Sequence, residues 1–192
     1  MLPATSEEVA SDEDLIARSA AGDKRAMQAL YRRHHVRLYR FVLRFVRDRQ
    51  LAEDLVSEAF LDVWRGASTF AARSAASTWL MAIARFKALS ALRRRGDAQL
   101  DDSTAAATAD RGDDPEVTIR RKQQGEILRD CLTRLSPDHR ETIDLVYYHG
   151  MGIGQVAEIV GIPESTVKTR IFHARKQLSV LLRAAGVDRS WP

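Results

Sequence analysis

Cysteine is nearly absent from this 192-residue chain, since Cys131 is the only one. One cysteine excludes an internal disulfide and any thiolate-rich zinc site built by a single chain, and it favours a reducing compartment. Long apolar runs are missing too, because no stretch approaches the roughly 20 residues that span a bilayer. The first residues also lack the basic and apolar regions of a signal peptide. The sequence therefore predicts a cytoplasmic protein without membrane insertion.

Sustained alternation of apolar and polar residues, which is typical of strands, is also missing. Apolar residues recur instead at intervals of three and four, as on one face of a helix. Ser11 has the context of a helix N-cap, Ser136 followed by proline has another, and Gly66 is expected to end a helix. The predicted fold is all-α, with long helices over about 24–47, 51–65 and 78–95.

Charge is distributed unevenly along the chain. The formal net charge is +4, yet the stretch from Asp97 to Glu116 carries −6 and the remainder +10. Because this stretch has almost no large apolar side chain, it cannot bury enough surface to order itself. We predict two small helical domains joined by a flexible acidic linker. The first domain covers 11–96, the linker 97–115 and the second domain 116–185. A disordered tail over 1–10 precedes them, and a tail over 186–192 follows.

Residues 153–171 have the spacing of a helix-turn-helix. Gly161 can adopt the left-handed conformation that ends the first helix, and Pro163 with Glu164 suits the start of the second. A basic helix is often only a solvated face, but this preceding turn favours DNA binding in the major groove. The side chains predicted to contact DNA are Ser165, Thr166, Lys168, Thr169, Arg170, Phe172, His173, Arg175 and Lys176.

The first domain has two further charged helices. Acidic residues between 53 and 62 share one face opposite an apolar one, which suits docking on a basic coiled coil of a partner protein, although such a face is more often merely solvated. Basic residues between 85 and 95 can follow a DNA backbone. Trp79 can either lie in the core or sit beside unpaired bases.

Three ordered segments resemble the extracytoplasmic-function sigma factors of the sigma-70 family. Residues 52–64 look like the helix that grips the clamp of RNA polymerase's largest subunit. Residues 78–95 are similar to the helix that opens the minus-ten promoter element, and residues 156–175 match the minus-thirty-five reader. The resemblance spans about residues 12–95 and 116–183. It implies a non-enzymatic protein without cofactor or metal that binds core RNA polymerase and promoter DNA, threads its linker through the RNA exit region, and is restrained by an anti-sigma factor.

The resemblance also implies particular contact residues. Phe86 and Ser90 stand where the family usually has asparagine and aspartate, and His173 stands where arginine is frequent. The loop over 70–77 corresponds to the loop that captures a flipped base. The implied polymerase contacts are Glu53, Asp54, Leu55, Glu58, Phe60 and Asp62, and the implied minus-ten contacts are Phe70, Trp79, Arg85, Phe86, Lys87, Arg93, Arg94 and Arg95.

Two other classes remain open at this point. A helix-turn-helix regulator that never contacts polymerase would bind its duplex tightly as the free protein, whereas a sigma factor would bind weakly until core polymerase is present. A carboxylate-metal enzyme would use Glu53, Asp54, Glu58, His34 and His35. That class is disfavoured because no glutamate has histidine three residues later and because adjacent histidines point apart on a helix.

Overall fold

The computed structural model describes residues 10–98 and 125–186, with side chains described up to residue 96 in the first range. Within these ranges the regular elements are all helical, which confirms the all-α prediction. The first compact unit contains α1 (Asp12–Ala20), α2 (Lys24–Val46), α3 (Arg49–Gly66) and α4 (Ala76–Ala98). The second is built mainly from α5 over 125–133, α6 (Pro137–Ile143), α7 (Ile153–Val160) and α8 (Glu164–Ala184).

The predictions for the linker and the two tails fall almost entirely outside the described residues. Only the linker's first two positions, 97 and 98, are described, and they continue α4. The boundary predicted after residue 96 therefore divides the last turn of a helix. Residue 186, where the C-terminal tail was predicted to begin, follows the end of α8 in a turn.

Side-chain caps begin the first three helices. The Ser11 hydroxyl accepts a hydrogen bond from the Asp14 N–H at 3.0 Å, which confirms that predicted cap. Asp23 accepts from two N–H groups in the first turn of α2. Asp48 accepts from the Leu51 N–H at 3.1 Å and so starts α3. These caps satisfy N–H groups that a helix leaves without an internal partner.

The core of the first unit lies between its four helices. Adjacent histidines of α2 add polar ties to two different neighbours: His34 Nε2 is 2.7 Å from Asp12 Oδ2, and His35 Nε2 is 3.0 Å from Glu53 Oε2. The two rings therefore point apart, as predicted. The largest fully buried side chains here are Phe41, Leu15, Ile16, Leu30, Leu38, Leu55, Leu80 and Met81.

Gly66 ends α3, as predicted, although not in a left-handed conformation, and a second glycine lies inside a helix. Gly66 is the last residue of α3, but its φ of −93° is not left-handed, and the chain continues into a 3₁₀ turn over Ala67–Thr69. Gly96 lies inside α4 and does not end it. A glycine inside a helix costs only about 1 kcal/mol, which neighbouring contacts offset. One such contact is the ion pair at 3.3 Å between Arg95 and Asp48.

The second unit has a smaller core. The Ser136 hydroxyl accepts from the His139 N–H at 3.3 Å and Pro137 is the first helical residue, both as predicted. The α6 helix then widens into a π-helical turn over Asp144–Tyr148, which the sequence pattern did not predict. Cys131 is 1% exposed, and burial raises the pKa of its thiol, so it packs as a small apolar side chain. Other buried members of this unit are Leu135, Ile143, Leu145, Val156, Val167 and Ala174.

Candidate functional site

The helix-turn-helix is formed by α7, a short turn and α8. Gly161 has φ +76° and its N–H donates to the Ala157 carbonyl at 2.8 Å, which confirms the predicted left-handed end of α7. Pro163 is the N-cap, so α8 begins at Glu164. Val156 on α7 and Val167 on α8 are fully buried. The outer face of α8 is thereby fixed toward solvent.

That outer face carries cations around an aromatic ring. Lys168, Arg175 and Lys176 are exposed, and Phe172 is 64% exposed. These four side chains, with Ile153 and Ile171, line a shallow groove of about 580 Å³. Positive charge beside a flat apolar surface can meet phosphates and base edges together.

The other predicted residues of α8 occupy different environments. Ser165 and Thr166 lie in the first turn, and the Thr169 hydroxyl donates to the Ser165 carbonyl at 3.0 Å. His173 is exposed, with its ring centroid 5.4 Å from that of Phe172.

Arg170 is the residue of α8 whose predicted role changes. Its guanidinium pairs with Asp138 at 2.6 Å and its side chain is 23% exposed. Asp138 belongs to the first turn of α6, so Arg170 holds α8 against α6. The predicted DNA contact of Arg170 thus gives way to an ion pair within the second unit.

The acidic face of α3 carries carboxylates that already have partners in the same unit. Gln50 Nε2 donates to Asp54 at 3.1 Å, and His35 lies 3.0 Å from Glu53. The remaining two carboxylates, Glu58 and Asp62, meet a lysine of α4 at 3.5 and 2.8 Å. Asp54 and Glu58 remain exposed, so this face is both held in place and accessible.

Two of the polymerase contacts predicted on α3 are buried side chains. Leu55 is 1% exposed and Phe60 is 4% exposed, so both belong to the core of the first unit. Leu61 was missed, although it is 53% exposed. It follows Glu58 by three residues and Asp54 by seven, a spacing that places all three on one helix face. That spacing is the signal in the sequence that places Leu61 on the same helix face as the two exposed carboxylates.

Lys87 is the lysine of α4 that contacts the acidic face. Its side chain is 19% exposed, and the hydrogen bond with Asp62 is the main cause that raises the pKa of its ammonium group. Since the ammonium group points at α3, the DNA contact predicted for Lys87 gives way to a bridge between two helices.

The remaining predicted residues of α4 and the preceding loop form two groups. Phe70 and Trp79 are half-buried and in contact, with ring centroids 4.9 Å apart. Arg85 is also half-buried. Phe86, by contrast, is 67% exposed. The basic residues Arg93, Arg94 and Arg95 follow on the last exposed turns, with Arg95 paired to Asp48.

Metal-ligating side chains are not clustered in the described residues. No group of three or more histidine, cysteine, aspartate or glutamate side chains in residues 10–98 and 125–186 is placed to hold an ion. The described helices also include none that is long and apolar enough to cross a bilayer.

Comparison with protein families matches both units. Residues 30–97 match sigma-70 region 2, and residues 125–178 match sigma-70 region 4. The chain is 32% identical to the RNA polymerase sigma-H factor of Pseudomonas aeruginosa, over 91% of this chain and 97% of that protein. It is 31% identical to the ECF RNA polymerase sigma factor SigL of Mycobacterium tuberculosis, over 91% of this chain and 98% of that protein.

Solved structures with a similar fold include two complexes. CnrH in complex with the cytosolic domain of CnrY superposes with a TM-score of 0.66 at 26% identity, covering 90% of this chain and 97% of CnrH. RpoE from Bartonella quintana, in complex with the anti-sigma factor NepR, has a TM-score of 0.63 at 29% identity, covering 79% of this chain and 91% of RpoE.

Proposed function

Because the chain belongs to the extracytoplasmic-function sigma factors of the sigma-70 family, which are non-enzymatic transcription initiation factors, we propose that its two units divide promoter-specific initiation between them. The first unit binds core RNA polymerase through α3 and the minus-ten element through α4. The second unit reads the minus-thirty-five element through α8. Core polymerase, with which the chain acts in the cytoplasm, carries out all the chemistry.

The observation that carries this division is that the chain presents two faces of opposite charge, one on each unit. The α3 face presents Asp54 and Glu58 around the exposed Leu61, and the α8 face presents cations around Phe172. An exposed apolar side chain ringed by charge of one sign suits a protein partner of the opposite sign. A basic helix following a tight turn suits duplex DNA.

The minus-ten role of α4 rests on its exposed side chains. Phe86 offers an open ring on which an unpaired base can stack, in place of the hydrogen bonds that a polar residue would supply. Arg93 and Arg94 are exposed nearby along the helix and can neutralise phosphates. Phe70 and Trp79 pack against each other, so together they support the loop that precedes α4.

We infer that an anti-sigma factor also controls this chain. One solved relative was captured with the cytosolic domain of CnrY and another with the anti-sigma factor NepR. The exposed Leu61 and Phe172 give such a partner an apolar anchor on each unit. A protein that covers both residues would block polymerase and promoter at once.

A reconstitution experiment tests the proposed function. Purified chain, core RNA polymerase and genomic fragments are mixed, and transcript 5′ ends are mapped. We expect defined start sites only when all three components are present, with core polymerase alone and the chain alone as controls. Tight specific duplex binding by the free chain, without any new start sites, would support the polymerase-independent regulator instead.

A further inference from the structure

The second helix of the first unit, α2, has an extreme charge that the proposed function leaves unused. Its 23 residues include seven lysines and arginines and no acidic residue. The side of α2 that packs into the core carries Leu38 and Phe41, which are at most 1% exposed. Much of the positive charge therefore lies on the solvent side.

The solvent side of α2 carries a row of arginines that we name the arginine stripe: Arg25, Arg32, Arg40 and Arg44. All four are exposed, and Val36, between them, is 54% exposed. Successive arginines are seven, eight and four residues apart, which keeps them on one helix face. With a rise of 1.5 Å per residue, the stripe is about 28 Å long.

We propose that the arginine stripe is a second, sequence-independent contact with the phosphate backbone of duplex DNA. Duplex DNA carries a phosphate about every 3.4 Å along each strand, so the stripe spans about eight base pairs. Guanidinium groups bind phosphates through two parallel hydrogen bonds, which suits a stripe made only of arginine. The proposal does not depend on how α3 contacts polymerase.

The chemistry of the stripe favours DNA over an acidic protein surface. Stable protein interfaces usually centre on large anchors in a well-packed pocket, whereas the arginines of the stripe lie exposed along one helix and their apolar neighbour is a single valine. Protein–DNA interfaces are more polar and much more positively charged. The stripe also runs toward the end of the unit that carries the basic run of α4, since Asp48, two residues after α2, pairs with Arg95 at 3.3 Å.

The test replaces charge without removing helix propensity. The variant Arg32→Gln, Arg40→Gln, Arg44→Gln is compared in the full chain with a control of equal charge loss, Arg65→Gln, Arg134→Gln, Arg183→Gln, whose arginines are exposed elsewhere. Binding to duplex DNA of random sequence is measured by fluorescence anisotropy across a salt series. Circular dichroism verifies that both variants keep their helices.

We expect the stripe variant to bind about tenfold more weakly near 0.1 M salt and to lose about one unit of salt dependence per lost phosphate contact, with a much smaller change in the control. Replacing the same residues with lysine should retain most of the salt dependence, because the charge remains. Equal behaviour of the stripe variant and its control would overturn the proposal. So would unchanged DNA binding together with weaker binding to core RNA polymerase, since that result would assign the stripe to an acidic protein surface.

Discussion

The two units of the molecule present their charges in opposite ways. On the first unit, the carboxylates of α3 meet His35, Gln50 and Lys87 from the same unit. On the second unit, Lys168, Arg175 and Lys176 form no ion pair within the described part of the chain. Paired carboxylates are already oriented when a protein partner arrives. Solvated cations can adjust to phosphates, whose attraction does not require one fixed geometry.

The N-terminus of α8 also differs from those of the helices that have side-chain caps. Side chains of Ser11, Asp23 and Asp48 cap three helices of the first unit and Ser136 caps α6 in the second, whereas α8 begins after Pro163 without a side-chain cap. The first-turn N–H groups of α8 are thus not occupied by a capping side chain. Such groups attract phosphate through hydrogen bonding and the helix dipole. The N-terminus of α8 therefore suits the phosphate contact that the proposed function assigns to this helix.

The largest effect is expected from removing the exposed cations of α8. Lys168→Ala with Arg175→Ala should weaken promoter binding by the polymerase-bound protein by about 2–4 kcal/mol, because each lost base or phosphate contact costs about 1–3 kcal/mol. Transcription from a mapped promoter and the salt dependence of promoter binding measure this. Arg134→Ala with Arg183→Ala removes the same charge from exposed positions elsewhere and should leave both nearly unchanged. Promoter use equal to that of the unmodified chain would refute the role of α8.

A smaller effect is expected on the polymerase side. Asp54→Lys with Leu61→Ser should weaken binding to core RNA polymerase about tenfold, since it reverses one exposed charge and removes the apolar anchor. Neither side chain is in the core, because Asp54 is exposed and Leu61 is 53% exposed. Surface plasmon resonance with immobilised core enzyme measures the affinity. Glu126→Lys, at an exposed position of the second unit, is the control. If the unmodified chain, the α3 variant and the control all bound core enzyme with equal affinity, α3 would not belong to the interface.

The sequence predicted the elements whose signals are local. The cap at Ser11, the left-handed Gly161 and the start of α6 at Ser136 and Pro137 depend on residues within one turn, and each is where it was expected. The all-α fold follows from apolar periodicity, which is the strongest signal in a single sequence. The π-helical turn after Ile143 was missed, because widening of a helix leaves no distinct residue pattern.

Site residues were harder to predict, because pairing across helices is invisible in one sequence. The positive charge of Lys87 and Arg170 favours a DNA contact, and only the packing of helices reveals their acidic partners. Leu55 and Phe60 were assigned to the interface by their resemblance to a motif, although the helix period turns them inward. The same period turns Leu61 outward, and its side chain is 53% exposed.

The smallest expected effect sharpens the contrast between a cation that bridges helices and one that faces DNA. Lys87→Met should lower the stability of the first unit by up to about 1 kcal/mol, the usual range for such ion pairs, and leave the salt dependence of promoter binding unchanged. The ion pair raises the pKa of Lys87, so its contribution is complete below the ordinary value of 10.5 and is lost as pH rises through the raised pKa. Urea unfolding in a Trp191→Phe background is followed by the fluorescence of Trp64 and Trp79, both in the first unit, at pH 7 and at alkaline pH.

The control is Arg94→Met, on an exposed turn of the same helix. It should do the opposite, leaving stability unchanged and reducing the salt dependence of promoter binding by about one unit. If Lys87→Met behaved like Arg94→Met, Lys87 would belong to the DNA face and the bridge to α3 would be incidental.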